Sequence, residues 1–294
     1  MFFSNLDYGH AEYNIRKNNR NMSLADASAG IMDKTTLRKF EKGEISLSMA
    51  KLFPLLRRLR VAPSEFLYQG ADFAVSPVAS FFEELAAVYV QRDMPSLRRM
   101  LADAQRPRAD ESARLPFQRL DRITIEAAIK SLGQGELAAA DVEFVTAYLV
   151  GQRNWFYYDL SILQYLPNFL SPETLIWISQ NIFSHTMTYQ RVLNNADLVG
   201  NIVLSICRVL IIKRGDCDSA VQVLAGARRD PGMHDLAGFA IQAKDLEAAV
   251  AYHRGRVDEA KVMHQWVVET LRCLELKQDT RDVEAMWPLL TDTD

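Results

Sequence analysis

Residues 22–68 read MSLADASAGIMDKTTLRKFEKGEISLSMAKLFPLLRRLRVAPSEFLY, and this stretch decides the fold of the chain. Apolar residues recur in it at helical spacing. Breaks divide the stretch into four short helices, at 30–33, 42–44 and 61–63. Ser23 and Asp33 precede two of these helices, where a side-chain oxygen accepts a hydrogen bond from an amide of the first turn. The stretch therefore predicts a small helical domain.

The segment 33–42 presents a surface suited to DNA. Leu37 and Phe40 point to one side of the predicted helix, and hydroxyl and cationic side chains occupy its other faces. Phosphates accept hydrogen bonds from Lys, Arg and hydroxyl groups, and a helix in the major groove reads base edges with polar side chains. We therefore predict the recognition helix of a helix-turn-helix, with DNA-binding candidates Lys34, Thr35, Thr36, Arg38 and Lys39. The alternative is a helical subdomain whose basic face is only solvated.

The same stretch resembles a known family. Residues 23–48 are similar to the amino-terminal domain of Rgg-family regulators, a branch of the lambda-repressor-like helix-turn-helix proteins. The family's run of hydroxyl-x-Leu-Ser-Arg-Phe-Glu-Arg-Gly-Glu occurs here with Lys39 and Lys42 in place of Arg and with Arg38 in place of Ser. The resemblance implies a recognition helix at this place. The departure at Arg38 affects which bases this helix would contact.

Two further arginines are DNA-binding candidates. The first helix is predicted at 10–19. Within it, Arg16 falls where the family has a basic residue that either pairs with a carboxylate at the position of Glu41 or contacts a phosphate. Arg58 belongs to the basic cluster 57–60, which either faces a phosphate or is solvated.

The charge of the chain is unevenly distributed. The net charge is −3, yet residues 1–70 hold eleven Lys or Arg against seven Asp or Glu, a balance of +4, so the remainder carries −7. The first quarter of the chain is therefore where phosphates would bind, and the acidic remainder is not expected to wrap nucleic acid.

Composition excludes several classes of protein. With 294 residues, 49% hydrophobic and 24% charged, the chain is ordinary globular protein and long enough for two domains. The most apolar run, 198–212, is interrupted by polar residues, and no run approaches the roughly 20 residues of a membrane helix. We expect a cytoplasmic protein without signal peptide, membrane contact or disulfides. No catalytic motif, metal site or cofactor loop is recognisable, so we predict that it is not an enzyme.

Beyond residue 70 the pattern stays helical. Helices are predicted at 76–92, 94–105, 111–132, 139–151, 155–166, 171–192, 196–214, 217–228, 234–254, 257–276 and 282–290. The segment 246–273, LEAAVAYHRGRVDEAKVMHQWVVETLRC, resembles a tetratricopeptide unit, with small residues where helices touch and Gly at the turn. We predict an all-α fold, with a helix-turn-helix domain at 1–70 and a tetratricopeptide-like superhelical domain at 71–294.

The Rgg resemblance extends to this second domain. The segment 154–169, NWFYYDLSILQYLPNF, is similar to the family's Trp-x-x-Tyr-Glu-Leu helix, with Asp159 for Glu. Asn201 falls where the family tends to have an Asn that bonds a peptide backbone. The resemblance implies a homodimer that binds double-stranded promoter DNA and is controlled by a short signalling peptide. Arg153 and Asn154 are included among the peptide-binding candidates.

Two predicted helices carry polar stripes. In 198–212, Asn201, Ser205 and Arg208 recur at i, i+4 and i+7 on an otherwise apolar helix. The preceding helix has a mixed stripe that includes Asn181 and Arg191. Amides and hydroxyls suit the main chain of an extended peptide, and an arginine can bind a carboxylate. The alternative is a stripe that faces water or a partner subunit.

Together these features predict a cytoplasmic, DNA-binding transcriptional regulator that senses a short peptide in quorum sensing. The competing prediction is a helical-repeat adaptor that holds a partner protein, with a merely structural N-terminal module.

Overall fold

The computed structural model describes residues 5–71, 77–106, 115–133, 135–186, 195–234 and 236–292. All regular elements in these ranges are helical, which confirms the predicted all-α class. The chain separates into two compact units, residues 1–86 and 87–294, here called the N-terminal and C-terminal units. The domain boundary after residue 70 stays a prediction.

The helices of the N-terminal unit follow the breaks read from the sequence. Their bounds are Asn5–Tyr13 (α1), Leu24–Ser28 (α2), Lys34–Glu41 (α3), Met49–Leu59 (α4), Pro63–Gly70 (α5) and Pro77–Val90 (α6), the last of which continues into the C-terminal unit. A π-helical segment, Asn14–Asn19, continues α1 directly. The first helical element therefore begins five residues before the predicted start at His10.

The core of the N-terminal unit fixes the position of α3. Leu37 and Phe40 of α3 are buried against leucines of α4 and Phe66 of α5. Helix α1 packs on both α3 and α5. Gly9 allows this contact, because a Cβ atom there would lie 2.2 Å from the carbonyl oxygen of Phe40. The close approach locks α1 onto the end of α3, which leaves the opposite side of α3 free of core contacts.

The C-terminal unit is a stack of helices. Their bounds are Met94–Ala104 (α7), Phe117–Gly133 (α8), Ala139–Gly151 (α9), Tyr157–Leu163 (α10), Pro172–Thr186 (α11), Asn195–Arg214 (α12), Cys217–Ala227 (α13), Pro231–His234 (α14), Ala237–His253 (α15), Val257–Cys273 (α16) and Lys277–Leu290 (α17). One row runs through α8, α10, α12, α15 and α17, each in contact with the next, while α7, α11, α13 and α16 pack beside that row. Sequential stacking of this kind is typical of helical repeats.

Helix α12 lies at the centre of the C-terminal unit. It contacts α10, α11, α13, α15 and α17. By length and composition the stretch Asn195–Lys213 is apolar enough to cross a membrane, contrary to the expectation that no run approaches that length, and 61% of it is buried inside the fold. Its apolar sides are covered by neighbouring helices, so α12 serves here as a core helix.

Three predicted helix starts differ from the structure. The helix predicted from Trp155 begins at Tyr157, because the Trp155 amide donates to the carbonyl of His185 at 3.1 Å. The helix predicted from residue 282 begins at Lys277, and Thr280 in its first turns is buried. The helix predicted from His234 begins at Ala237, after the short helix α14.

Candidate DNA-binding surface and ligand stripe

Helix α3 is fixed at its first turn by the predicted cap. The Asp33 carboxylate accepts hydrogen bonds from the amide of Thr35 at 2.7 Å and from its hydroxyl at 2.6 Å. These bonds, with the nearby charge of Lys34 as a smaller contribution, lower the pKa of Asp33. Ser23 caps α2 in the same way, accepting from the amide of Asp26 at 3.1 Å. Both predicted caps are confirmed.

The side of α3 away from the core is open to solvent. Lys34, Thr35, Arg38 and Lys39 are exposed and Thr36 is half-buried. The core thus brings together five of the seven predicted DNA-binding residues on one accessible surface, here called the α3 surface. Its cations and hydroxyl groups have the chemistry that phosphates and base edges require.

Arg16 does not belong to the α3 surface. Its side chain is buried, its Nε donates to Glu41 Oε1 at 2.5 Å, and its Nη1 donates to the carbonyl of Met22 at 2.7 Å. A guanidinium used in this way is not available to a phosphate. Of the two roles considered for Arg16, the structure shows the carboxylate pair, and this position does not support a phosphate contact.

Arg58 is also used inside the N-terminal unit. Its Nη1 donates to the carbonyl oxygens of Asp26, Ala27 and Ala29, at 3.1, 2.9 and 2.5 Å. These are the unsatisfied carbonyls at the end of α2, and a cation there interacts favourably with the helix dipole. Arg58 therefore holds α2 to α4, and the assignment of a phosphate contact to it is not supported by its position.

The polar stripe predicted on α12 is accessible. All residues from Val199 to Ile211 are described, and every one is buried except Asn201, Ser205 and Arg208. Asn201 is exposed, and the other two are half-buried. These three residues, here called the α12 stripe, present an amide, a hydroxyl and a guanidinium in one row along a core helix.

Arg208 is held by a neutral partner from the next helix of the row. Its Nη2 donates to Oε1 of Gln242, on α15, at 2.6 Å. Burial, opposed by the charges of Asp245 and Asp282, lowers the pKa of Arg208. The sequence did not identify Gln242, because 34 residues separate it from Arg208 and no local pattern links them.

The remaining peptide-binding candidates are less clearly assembled. Asn181 donates its side-chain amide to the Trp177 carbonyl at 2.8 Å, which uses one of its donors within α11. Arg153 is exposed and Asn154 is half-buried, in the connection before α10. Arg191 lies outside the described residues.

An aromatic cluster beside Asn181 was not predicted. The buried ring of Trp155 lies 4.9 Å from the ring of His185, and Trp177 lies 5.9 Å from His185 on its own helix. His185 Nδ1 and the carbonyl of Asn181 are 3.0 Å apart. The cluster joins the segment before α10 to α11, and so it fixes the position of Asn181.

Comparison with known proteins places these features in a family. Residues 100–284 match the family model described as HTH-type transcriptional regulator Rgg, C-terminal domain. A putative transcriptional regulator from Listeria monocytogenes EGD-e is similar over 98% of both chains, with 16% identity and a TM-score of 0.82.

Two other solved structures are similar over almost their whole length. The SHP pheromone receptor Rgg2 from Streptococcus dysgalactiae shares 15% identity at a TM-score of 0.77, covering 96% of this chain and 98% of that one. A bacterial peptide pheromone/receptor complex shares 11% identity at a TM-score of 0.70, covering 98% and 99%. At these identities the likeness shows the fold.

Proposed function

Since this chain belongs to the Rgg family of HTH-type transcriptional regulators, we propose that it binds promoter DNA through the α3 surface and is controlled by a short signalling peptide on the α12 stripe. The observation that carries the peptide assignment is the burial pattern of α12. A core helix that is closed on every side but one presents an amide, a hydroxyl and a guanidinium on that side. Such groups bind the main chain of an extended peptide whatever its side chains are.

Two further features support the proposal. The relative from Streptococcus dysgalactiae is a pheromone receptor, and a second similar structure is a peptide pheromone/receptor complex. The N-terminal unit is too small to bind DNA tightly alone, so we propose a homodimer that places two copies of α3 in successive major grooves, about 34 Å apart. Acting on promoter DNA, such a regulator works in the cytoplasm.

Binding to DNA is tested by gel shift with the purified full-length chain at moderate salt. We expect a preference for the fragment upstream of its own gene over random DNA of equal length. Arg38→Ala and Thr36→Ala should relax that preference, each base contact contributing about 1–3 kcal/mol. Lys261→Ala, an exposed cation on α16, serves as the control and should change nothing. Equal losses on specific and random DNA for the α3 variants would contradict the assignment.

The peptide response is tested at Asn201. We expect Asn201→Ala to abolish the effect of peptide on DNA binding while folding and DNA binding without peptide stay unchanged. Gln222→Ala, at an exposed amide on α13, is the matched control. An undiminished response in Asn201→Ala would count against the α12 stripe. The adaptor alternative predicts instead that a partner protein co-purifies and that no DNA fragment is preferred.

A further inference from the structure

We propose that Arg208 makes the α12 stripe selective for ligands that carry a carboxylate group, and that Gln242 is the positioning residue that fixes the orientation of the Arg208 guanidinium. This inference rests on the proposed function, because it specifies the chemistry of the peptide that the stripe binds. The carboxylate belongs either to the free carboxyl terminus of the peptide or to an acidic side chain. Both sources present the same two oxygens to the guanidinium.

Among the described residues Arg208 has no anionic partner, unlike the buried Arg16 and the half-buried Arg122. Arg16 pairs with Glu41 at 2.5 Å, and Arg119 and Arg122 pair with Asp141 at 2.8 Å. Within the described residues, no Asp or Glu oxygen lies within 4.0 Å of the Arg208 guanidinium, and its hydrogen bond goes to the neutral amide of Gln242. A half-buried cation without a carboxylate is costly, because burial removes water and nothing of opposite charge replaces it.

The carboxylate of Asp245, whose charge acts on Arg208, is paired with another side chain. Asp245 lies one helical turn beyond Gln242, where its Oδ1 pairs with Nδ1 of His264 at 2.6 Å. The ring of His264 stacks on Trp287 with 4.0 Å between centroids, which fixes the histidine and therefore Asp245. The charge of Asp245 acts on Arg208 without a direct ion pair. Apart from the bond to Gln242, no described residue accepts a hydrogen bond from the Arg208 guanidinium, which leaves it N–H donors for a ligand.

The position of Arg208 fits recognition of one end or one side chain of a peptide. Arg208 is the last member of the α12 stripe, three residues after Ser205 and seven after Asn201. A peptide main chain bonded to Asn201 and Ser205 would place one carboxylate at Arg208. Planar guanidinium binds a carboxylate with two parallel hydrogen bonds, so the contact also fixes the direction of the peptide.

Selectivity is measured by fluorescence polarisation with the full-length protein and three pools of labelled octapeptides built from uncharged residues. The first pool has free carboxyl termini, the second is amidated, and the third is amidated and carries one Asp per peptide. We expect the first or the third pool to bind at least about tenfold more tightly than the second, as a charge-assisted hydrogen bond implies. Preference for the first pool identifies the terminal carboxylate, and preference for the third identifies a side chain.

The outcomes separate this inference from the proposed function. Equal binding of all three pools would overturn the carboxylate selectivity but would still support the proposed function as a peptide receptor. Binding of none of them, with no effect on DNA binding, would overturn both.

Three substitutions test the residues themselves. Gln242→Glu introduces a carboxylate at the atom that already lies 2.6 Å from Arg208, so the guanidinium gains an internal partner. We expect it to abolish the tenfold preference without lowering Tm or DNA affinity. Gln222→Glu adds the same charge at an exposed position of α13 and should keep the preference. Arg208→Gln should also abolish the preference for carboxylate-bearing peptides, and Arg208→Lys should retain part of that preference. A full preference in Gln242→Glu would overturn the inference.

Discussion

Substitution of Glu12 by Gln should stabilise the N-terminal unit at neutral pH. Glu12, Arg16 and Glu41 are all buried in the core of that unit, so two carboxylates share one cation. In the described residues no donor bonds to either oxygen of Glu12, and Arg16 lies 3.8 Å away. Burial, and after it the neighbouring carboxyl group of Glu41, raise the pKa of Glu12 to about 9 against the opposing charge of Arg16. Folded Glu12 therefore stays protonated at neutral pH.

The sign and size of the effect follow from proton linkage. Below pH 4.5 Glu12 is protonated in both folded and unfolded chains, and it contributes no pH dependence. Between pH 4.5 and about 9 only the folded chain keeps the proton, so stability falls as pH rises, by about 1.4 kcal/mol per pH unit. At pH 7 the accumulated cost is about 3 kcal/mol. Glu12→Gln has no proton to lose in this pH range and therefore removes this cost.

Hydrogen exchange measured by mass spectrometry reports on this unit separately. Tryptophan fluorescence does not, because all four tryptophans lie in the C-terminal unit. Protection of the amides of α1 and α3 is converted to free energy between pH 5 and 9. We expect the wild-type protection to decrease with pH and the Glu12→Gln protection to stay nearly level and higher at pH 7.

Two controls test this interpretation. The amides of α15 and α16, in the same sample, should not respond to Glu12→Gln. Glu44→Gln changes an exposed carboxylate of the same unit and should keep the wild-type slope. If Glu12→Gln keeps the wild-type slope, or lowers protection at pH 7, the assignment of a buried protonated carboxyl group is refuted.

Two further substitutions test how the helix-turn-helix is held. Gly9→Ala should destabilise the N-terminal unit by about 1–3 kcal/mol or more, because its Cβ would lie 2.2 Å from the Phe40 carbonyl oxygen. Gly133→Ala, whose Cβ would meet nothing within 4 Å, is the control. Equal hydrogen-exchange protection of Gly9→Ala and the wild type would contradict the close packing at Gly9. Arg58→Ala should lower the free energy of unfolding by about 1–3 kcal/mol, because it leaves the carbonyls at the end of α2 without a donor, and any loss of DNA binding should parallel the loss of folded protein. Substitution of the exposed Arg57 by Ala is the control and should leave stability unchanged. A stable Arg58→Ala variant that binds all DNA weakly would instead support the phosphate contact.

Local features of this protein were predictable because the sequence itself encodes them. Asp33 caps α3 through an amide two residues away, and Leu37 and Phe40 face the core because they are three residues apart on one helix. The α12 stripe was predictable for the same reason, since Asn201, Ser205 and Arg208 interrupt an otherwise apolar helix at helical spacing. Charge counting also assigned the excess of positive charge to residues 1–70.

Partners distant in sequence were decided only by the tertiary structure. Arg16 looked equally suited to a phosphate or a carboxylate until packing of α1 on α3 buried it against Glu41, 25 residues away. Arg58 looked like one of several surface cations until α4 brought it to the carbonyls of α2. Gln242 reaches Arg208 because α12 and α15 are neighbours in the stack. Sequence periodicity determines which side of a helix is polar, whereas burial and the packing partner determine which polar groups remain free to bind.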